Sequence, residues 1–395
     1  LVRPRAIRRL AYGSVVVLTA LGLVANLLLP RLVSPYADRP PPSPALAPAR
    51  PLKVYTWLDP YWSWTPRIGG ALERYKPPWA QYVANRHEAD VEIFHIVGKK
   101  ELDALLARDD ASPPAAVIQH VLSTGGAPRE AFARGWRHPR TLLTATFHDL
   151  STDAADADDG TFSFYPMPWG ADERVFTPPR AHDASGRAQN DTARGAEGHL
   201  LAIGTDPFGE SHGELLFAAA HAGRQMRHVG SLGDNVCGDC RGADVSDETA
   251  PLNCQPLAAL GGRAPCDWHT SLGRVSEQQL VREMQAAAFV GSLRKEEGFE
   301  IAGIEALFCG ARPIVFNMST YRWYEGHGIF VPPELPSDQM FHTLVAALRQ
   351  PARPVTRPEL LELHRKFSWR VLVPSFYERI RAELSARRGD DPWHW

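Results

Sequence analysis

The stretch Glu297-Gly-Phe-Glu-Ile-Ala-Gly-Ile-Glu305-Ala-Leu-Phe-Cys-Gly310-Ala-Arg-Pro-Ile-Val-Phe316 decides the architecture. An apolar run at 288–292 precedes it, and an apolar helical pattern opens near Ala302 and runs to Phe308. A second apolar run then begins at Pro313. Strand, glycine-bearing loop, helix and strand in that order predict one βαβ unit of a parallel sheet. In such a sheet the loop after a strand lies at the strand's carboxyl end, where ligands bind. Backbone N–H groups at the helix start would make an anion site suited to a pyrophosphate. Glu305, one turn inside, is placed to accept hydrogen bonds from vicinal hydroxyls, and Glu297 on the loop can do the same.

Working outward, the same alternation recurs. Upstream, strands are expected at 52–57, 91–97, 115–121 and 142–147, with helices at 70–83 and 100–108. A second series starts with the apolar run 199–203 ending in Gly204, then helix 213–224 and strand 226–229. After an insertion at 232–268 come strand 272–275, helix 276–287 and the quoted segment. A helical tail covers 357–388. Two α/β units facing one another across a cleft are the expected arrangement, the first over residues 52–176 and the second over 177–370. Residues 371–395 are expected to form a helix crossing back to the first unit.

The quoted segment resembles the family 4 retaining glycosyltransferases, which have a GT-B fold of two Rossmann-like domains. Their mark is a pair of glutamates separated by seven residues, and Glu297 and Glu305 keep that spacing, with Gly298, Phe299, Cys309, Gly310 and Pro313 in step. Glu300 stands where the family usually has glycine. Thr146-Phe-His148 resembles the family's Thr-x-His segment, and Pro168-Trp-Gly-Ala-Asp172 through Pro178 resembles its interdomain hinge. Leu272-Gly273-Arg-Val-Ser276, Gly328 to Pro332 and Phe367-Ser-Trp369 also fall where the family has them. The resemblance implies a nucleotide-sugar donor, with Glu297 against the sugar, Glu305 on the ribose and His148 reaching the donor from the first domain. It implies retention of configuration without a side-chain nucleophile, and no metal or other cofactor. The run Gly204 to Gly213 carries neither Arg nor Lys, where the family has two cations for the diphosphate. Arg294, just ahead of the glutamates, is the candidate replacement. Gly69 and Gly70, after the first strand, are candidates for close backbone approach to the donor.

The remaining features concern place rather than chemistry. The chain has 395 residues, with 43 basic against 45 acidic and a net charge of −2. That balance leaves no basic footprint for nucleic acid. Arg3, Arg5, Arg8 and Arg9 precede the uncharged run 10–29. As a helix those 20 residues would be about 30 Å long, enough to cross a bilayer. Residues 1–33 are therefore read as a cytoplasmic tail and signal anchor, with a cleaved signal peptide as the rival reading. A proline-rich stem over 34–51 would follow. The expectation is a single-pass type II membrane protein of Golgi or endoplasmic reticulum with a lumenal catalytic part. Its acceptor would be a glycan, a protein or a lipid. Cys237, Cys240, Cys254 and Cys266 all lie in the insertion, and their spacing permits zinc or two disulfides. A lumen favours disulfides. Asn190 begins a glycosylation sequon. Two rival functions stay open: a catalytically inactive GT-B scaffold, and a GT-B sugar-nucleotide epimerase.

Overall fold

Leu52–Trp57 forms β1, whose Leu52 and Val54 are buried while Lys53 and Tyr55 beside them are half-buried, the period-two alternation of a strand. The structure, a computed structural model, describes residues 50–57, 65–96, 99–109, 112–119, 135, 137–146, 163–179, 198–204, 212–230, 237, 258–293 and 299–389. The first series continues with α1 (Thr65–Arg74), β2 (Ala80–Tyr82), β3 (Val91–Ile96), α2 (Lys99–Leu106), β4 (Ala115–Gln119), β5 (Thr141–Thr146) and β6 (Phe164–Pro166). These strands pair in parallel in the order β2-β1-β3-β4-β5-β6.

The second series comprises β7 (His199–Ile203), α3 (His212–His221), β8 (Met226–Val229), β9 (His269–Gly273), α4 (Glu277–Ala286) and β10 (Ala287–Ser292). It continues through α5 (Ile301–Phe308), β11 (Arg312–Phe316), β12 (Ile329–Val331) and α6 (Ser337–Arg349). Its parallel order is β12-β11-β10-β7-β8-β9. Successive residues alternate between two packed layers. Leu200, Ala202, Phe289, Ile314 and Phe316 face one, and Leu201, Val290 and Val315 face the other.

In each sheet the strand order reverses once, between β1 and β3 in the first and between β7 and β10 in the second. Connections leave in opposite directions at such a point and open a crevice beyond the carboxyl ends of the strands. Those two crevices organise everything that follows.

Two further helices, α7 (Arg357–Phe367) and α8 (Trp369–Arg388), break at Ser368, whose hydroxyl accepts the Arg370 N–H at 3.1 Å. Their junction is pinned to the segment joining the two sheets: Ala171 N–H donates to Phe367 O at 3.0 Å and Trp369 N–H to Ala171 O at 3.3 Å. Helix α8 then lies on the first sheet. Tyr377 donates to the Tyr82 hydroxyl at 2.9 Å, and Arg379 donates to the Ser163 hydroxyl at 2.7 Å.

Two expectations need correction, and two short strands were not expected. The helix expected at 70–83 is Thr65–Arg74, and the chain at Ala80–Tyr82 is a strand on the edge of the first sheet. Pro77 and Pro78 explain this, since a proline lacks the amide donor and bars the preceding residue from helical backbone. The strand expected at 272–275 is His269–Gly273, because Ser276 caps α4 by accepting the Gln279 N–H at 3.2 Å. Strands β6 and β12 have only three residues each, too short to show periodicity. The apolar run 10–29 and Asn190 lie outside the described residues. Among the described residues no helix is long and apolar enough to cross a membrane.

Candidate active site

Helix α5 starts beside the β7/β10 switch point and carries Glu305 one turn in, with a side chain only 4% exposed. Alpha1 starts beyond the carboxyl end of β1, beside the other switch point, and carries Arg67. The two meet: Arg67 Nη1 donates to Glu305 Oε1 at 2.8 Å. A second carboxylate, Glu277 at the start of α4, lies 3.8 Å from Arg67 Nη2. The cleft between the sheets is thus bridged by one guanidinium held between two acidic side chains of the second unit.

Burial pushes the Glu305 carboxyl up to about 7, against the opposing pull of Arg67, and the nearby Glu300 and Glu277 add to the rise. An uncompensated carboxylate in an apolar setting costs several kcal/mol, so its proton is retained to higher pH. The group therefore sits near the balance of its two forms at neutrality. Its ionised form accepts hydroxyl donors, which is the chemistry the sequence assigns to it.

The start of α5 departs from expectation. Its N–H groups were expected to be open to an anion, yet the Glu300 side chain caps one of them. Its carboxylate accepts the Ala302 N–H at 3.0 Å and the Ser292 hydroxyl at 2.5 Å. Glu300 is buried, and it is the N-cap residue. A carboxylate at a helix N-terminus satisfies the orphan donors and opposes the positive end of the dipole. Glu300 thus places a carboxylate at the helix start where the sequence reading put an anion.

The other candidates divide plainly. Gly204 ends β7 and lies back to back with the end of β8: a Cβ on Gly230 would fall 1.7 Å from Gly204 O, so only glycine fits there. Phe299 is buried, with its ring edge-on to Tyr324 at 6.2 Å between centroids. Gly69 and Gly70 lie inside α1 rather than in a loop, and a Cβ on Gly70 would meet nothing within 4 Å. No protein atom demands a glycine at position 70, and the space beside it is open. Glu297, Gly298, Arg294 and His148 lie outside the described residues.

Cys237 and Cys266 form a disulfide that closes the insertion against the α3 side of the second sheet. Cys240 and Cys254 lie outside the described residues, among which no cluster suited to a metal occurs. Cys309 is a free thiol, and burial pushes its ionisation well up.

Arg67 was not anticipated. Its signal was Thr65-Pro66, a proline early in a helix directly after a strand. Its position is set by ties along α1. Arg74 and the Tyr75 hydroxyl donate to Asp172 at 2.5 and 2.7 Å. The Arg67 guanidinium lies over the Phe176 ring at 5.8 Å. Asp172 and Phe176 both belong to the connecting segment 168–178. Burial pushes Asp172 up, but hydrogen bonds from Tyr75, the Arg174 backbone and Arg74 hold its carboxyl below the usual range.

No family profile matches the chain, and no curated protein matches it by sequence. Solved structures do. Sucrose-phosphate synthase from Thermosynechococcus elongatus superposes with a TM-score of 0.58 at 14% identity, covering 85% of this chain and 100% of that one. HepE from Anabaena, crystallised with UDP and glucose, gives 0.52 at 15% identity, over 83% and 84% of the two chains. The α,α-trehalose 6-phosphate synthase from Burkholderia multivorans gives 0.51 at 11% identity, over 77% and 73%. At these identities the likeness concerns the fold, and two parallel six-stranded sheets with flanking helices fit the two-domain α/β arrangement called GT-B.

Proposed function

We propose that the chain is a retaining glycosyltransferase of the family 4 kind, moving a sugar from a nucleotide donor to a glycan, protein or lipid acceptor. The observation that carries this is the placement of Glu305. It is a buried carboxylate at the start of a helix beside the second sheet's switch point, on the wall of the cleft facing the first sheet. Carboxylates so placed read vicinal hydroxyls, and the fold is shared with a sucrose-phosphate synthase, a trehalose 6-phosphate synthase and HepE, which was crystallised with UDP. In this reading the ribose hydroxyls donate to Glu305, and Glu297 faces the donor sugar. His148 reaches the sugar from the first unit. The leaving phosphate takes the acceptor proton while these groups and backbone amides stabilise developing charge. No side chain acts as nucleophile and no metal is required. The anchor at 10–29, with a lumenal catalytic part bearing a glycan at Asn190, belongs to the same reading and rests on the four arginines and the uncharged run. Protease protection in sealed microsomes tests it.

The decisive experiment offers UDP-, GDP- and ADP-sugars to the purified chain and follows nucleotide release. Slow hydrolysis of one donor, lost in Glu297→Gln, is the expected result. Epimerised donor without release would convert the reading to a sugar-nucleotide epimerase. Binding without turnover would favour an inactive scaffold, a reading that the self-capped start of α5 supports.

A further inference from the structure

A nucleotide donor carries a diphosphate, and among the described residues the second unit sets carboxylates around Glu305. Three carboxylates, Glu277, Glu300 and Glu305, stand together there, each contributing to the electrostatics of the last. The run Gly204 to Gly213 after β7 has neither lysine nor arginine. At the start of α5, the other ready anion site, the Glu300 carboxylate already takes the Ala302 N–H. Phosphate charge left uncompensated is costly, so a cation must be supplied, and Arg294, the candidate from the sequence, lies outside the described residues.

Resting on the donor-site reading, we infer that Arg67, contributed by the first unit, anchors the diphosphate of the nucleotide whose ribose Glu305 holds. Its guanidinium already lies 2.8 Å from Glu305. A nucleotide seated with its ribose hydroxyls on that carboxylate carries its phosphates one sugar–phosphate step away, within the sweep of the same side chain. Arg67 is 37% exposed, so it is open to the cleft from which a ligand enters. Its planar fork of N–H donors matches phosphate oxygens two at a time, as an ammonium cannot. The helix that carries it is tied to the connecting segment through Arg74, Tyr75 and Asp172, which limits how far the guanidinium can wander. In the structure Arg67 rests on Glu305. On binding, the ribose hydroxyls replace it there and the guanidinium turns to the phosphates. Because Arg67 and Glu305 belong to different units, one nucleotide is gripped from both walls of the cleft, and donor binding favours its closed state.

The test is calorimetry of the purified chain with UDP, GDP and ADP, each alongside its nucleoside. For whichever diphosphate binds, Arg67→Gln should weaken binding by about tenfold or more, as expected for losing a charge-assisted contact. Binding of the nucleoside should change by less than about twofold, and Arg67→Lys should fall between wild type and Arg67→Gln. Three results overturn the inference while leaving the donor site standing. Diphosphate affinity could be unchanged in Arg67→Gln, with Arg294→Gln showing the loss instead. Nucleoside and diphosphate could weaken equally, which would make Arg67 only a brace for Glu305. Affinity could rise in Arg67→Gln, which would make Arg67 a plug. If wild type binds none of the three diphosphates, the donor-site reading falls and takes this inference with it.

Discussion

Arg67 and Glu305 are 238 positions apart in the chain and 2.8 Å apart in space. Their contact joins a helix of the first sheet to a helix of the second, and it opposes the burial that raises the Glu305 carboxyl.

Glu305 titrates near 7 because burial outweighs Arg67. Its raised value means that its contribution to folding is fully present below the ordinary carboxylate range and is lost as pH rises through about 7. Hydroxyl acceptance runs the other way, since the ionised form grows over the same window. Nucleotide affinity should therefore climb as pH rises through about 7, and Glu305→Gln should flatten the climb. At alkaline pH that variant should bind more weakly than wild type by about 1.5–3 kcal/mol, the worth of a charged hydrogen bond. Calorimetry across pH with both proteins checks this.

Glu300→Gly removes the carboxylate that caps α5. Losing an N-cap side chain to glycine costs a few tenths of a kcal/mol, and the orphaned Ser292 hydroxyl adds to this, so a loss of about 1 kcal/mol is expected. The same change removes one of the charges that raises Glu305, so the pH midpoint of nucleotide binding should move down. Urea unfolding and the calorimetric pH profile report the two effects separately.

Arg312 holds Glu359 with two hydrogen bonds, Nη1 to Oε1 at 2.6 Å and Nη2 to Oε2 at 2.8 Å, and His327 adds a third contact at 2.9 Å. Burial pushes Glu359 up, but these partners hold it down to about 2, from an ordinary value of 4.5. The stability it contributes is present above about 4.5 and is lost as pH falls toward about 2. Glu359→Gln leaves the Arg312 guanidinium, only 5% exposed, without its charge partner. A loss of about 3 kcal/mol at neutral pH is expected. Denaturant titrations at neutral and acid pH should show the difference from wild type shrinking as the acid is approached.

The Cys237–Cys266 bridge spans 29 positions. Closing a loop of that size restricts the unfolded chain by about 3–4 kcal/mol. Reduction should lower stability by that order, and alkylation with mass spectrometry should find Cys309 unreactive until the protein is unfolded.

Two glycines make opposite predictions. A Cβ on Gly170 would lie 2.5 Å from Phe367 O, at the crossing of the connecting segment and the α7/α8 junction, so Gly170→Ala should cost about 1–3 kcal/mol. Gly70 sits inside α1 with nothing within 4 Å of a Cβ, so Gly70→Ala should gain about 0.5–1 kcal/mol. Unaltered nucleotide affinity in Gly70→Ala would remove that glycine from the donor site.

The sequence by itself determined the parallel α/β series, because buried strands must be apolar runs and their loops must carry the turn chemistry, both local properties. Beta1, β7, β10, α5 and β11 were legible for that reason, as were the position of Glu305 in its helix and the free, buried state of Cys309. Local pattern misled at 70–83, where a helix-like spacing outlasted the prolines that end α1, and it was silent for strands of three residues. Only the tertiary structure decided which groups meet. Strand order set the two switch points opposite one another, and that brought Arg67 to Glu305. The Glu300 side chain turned back onto the Ala302 N–H, so the helix start that reads as an anion site already carries a carboxylate. Neither outcome is written in spacing, because each depends on distances between segments that the chain brings together only when it folds.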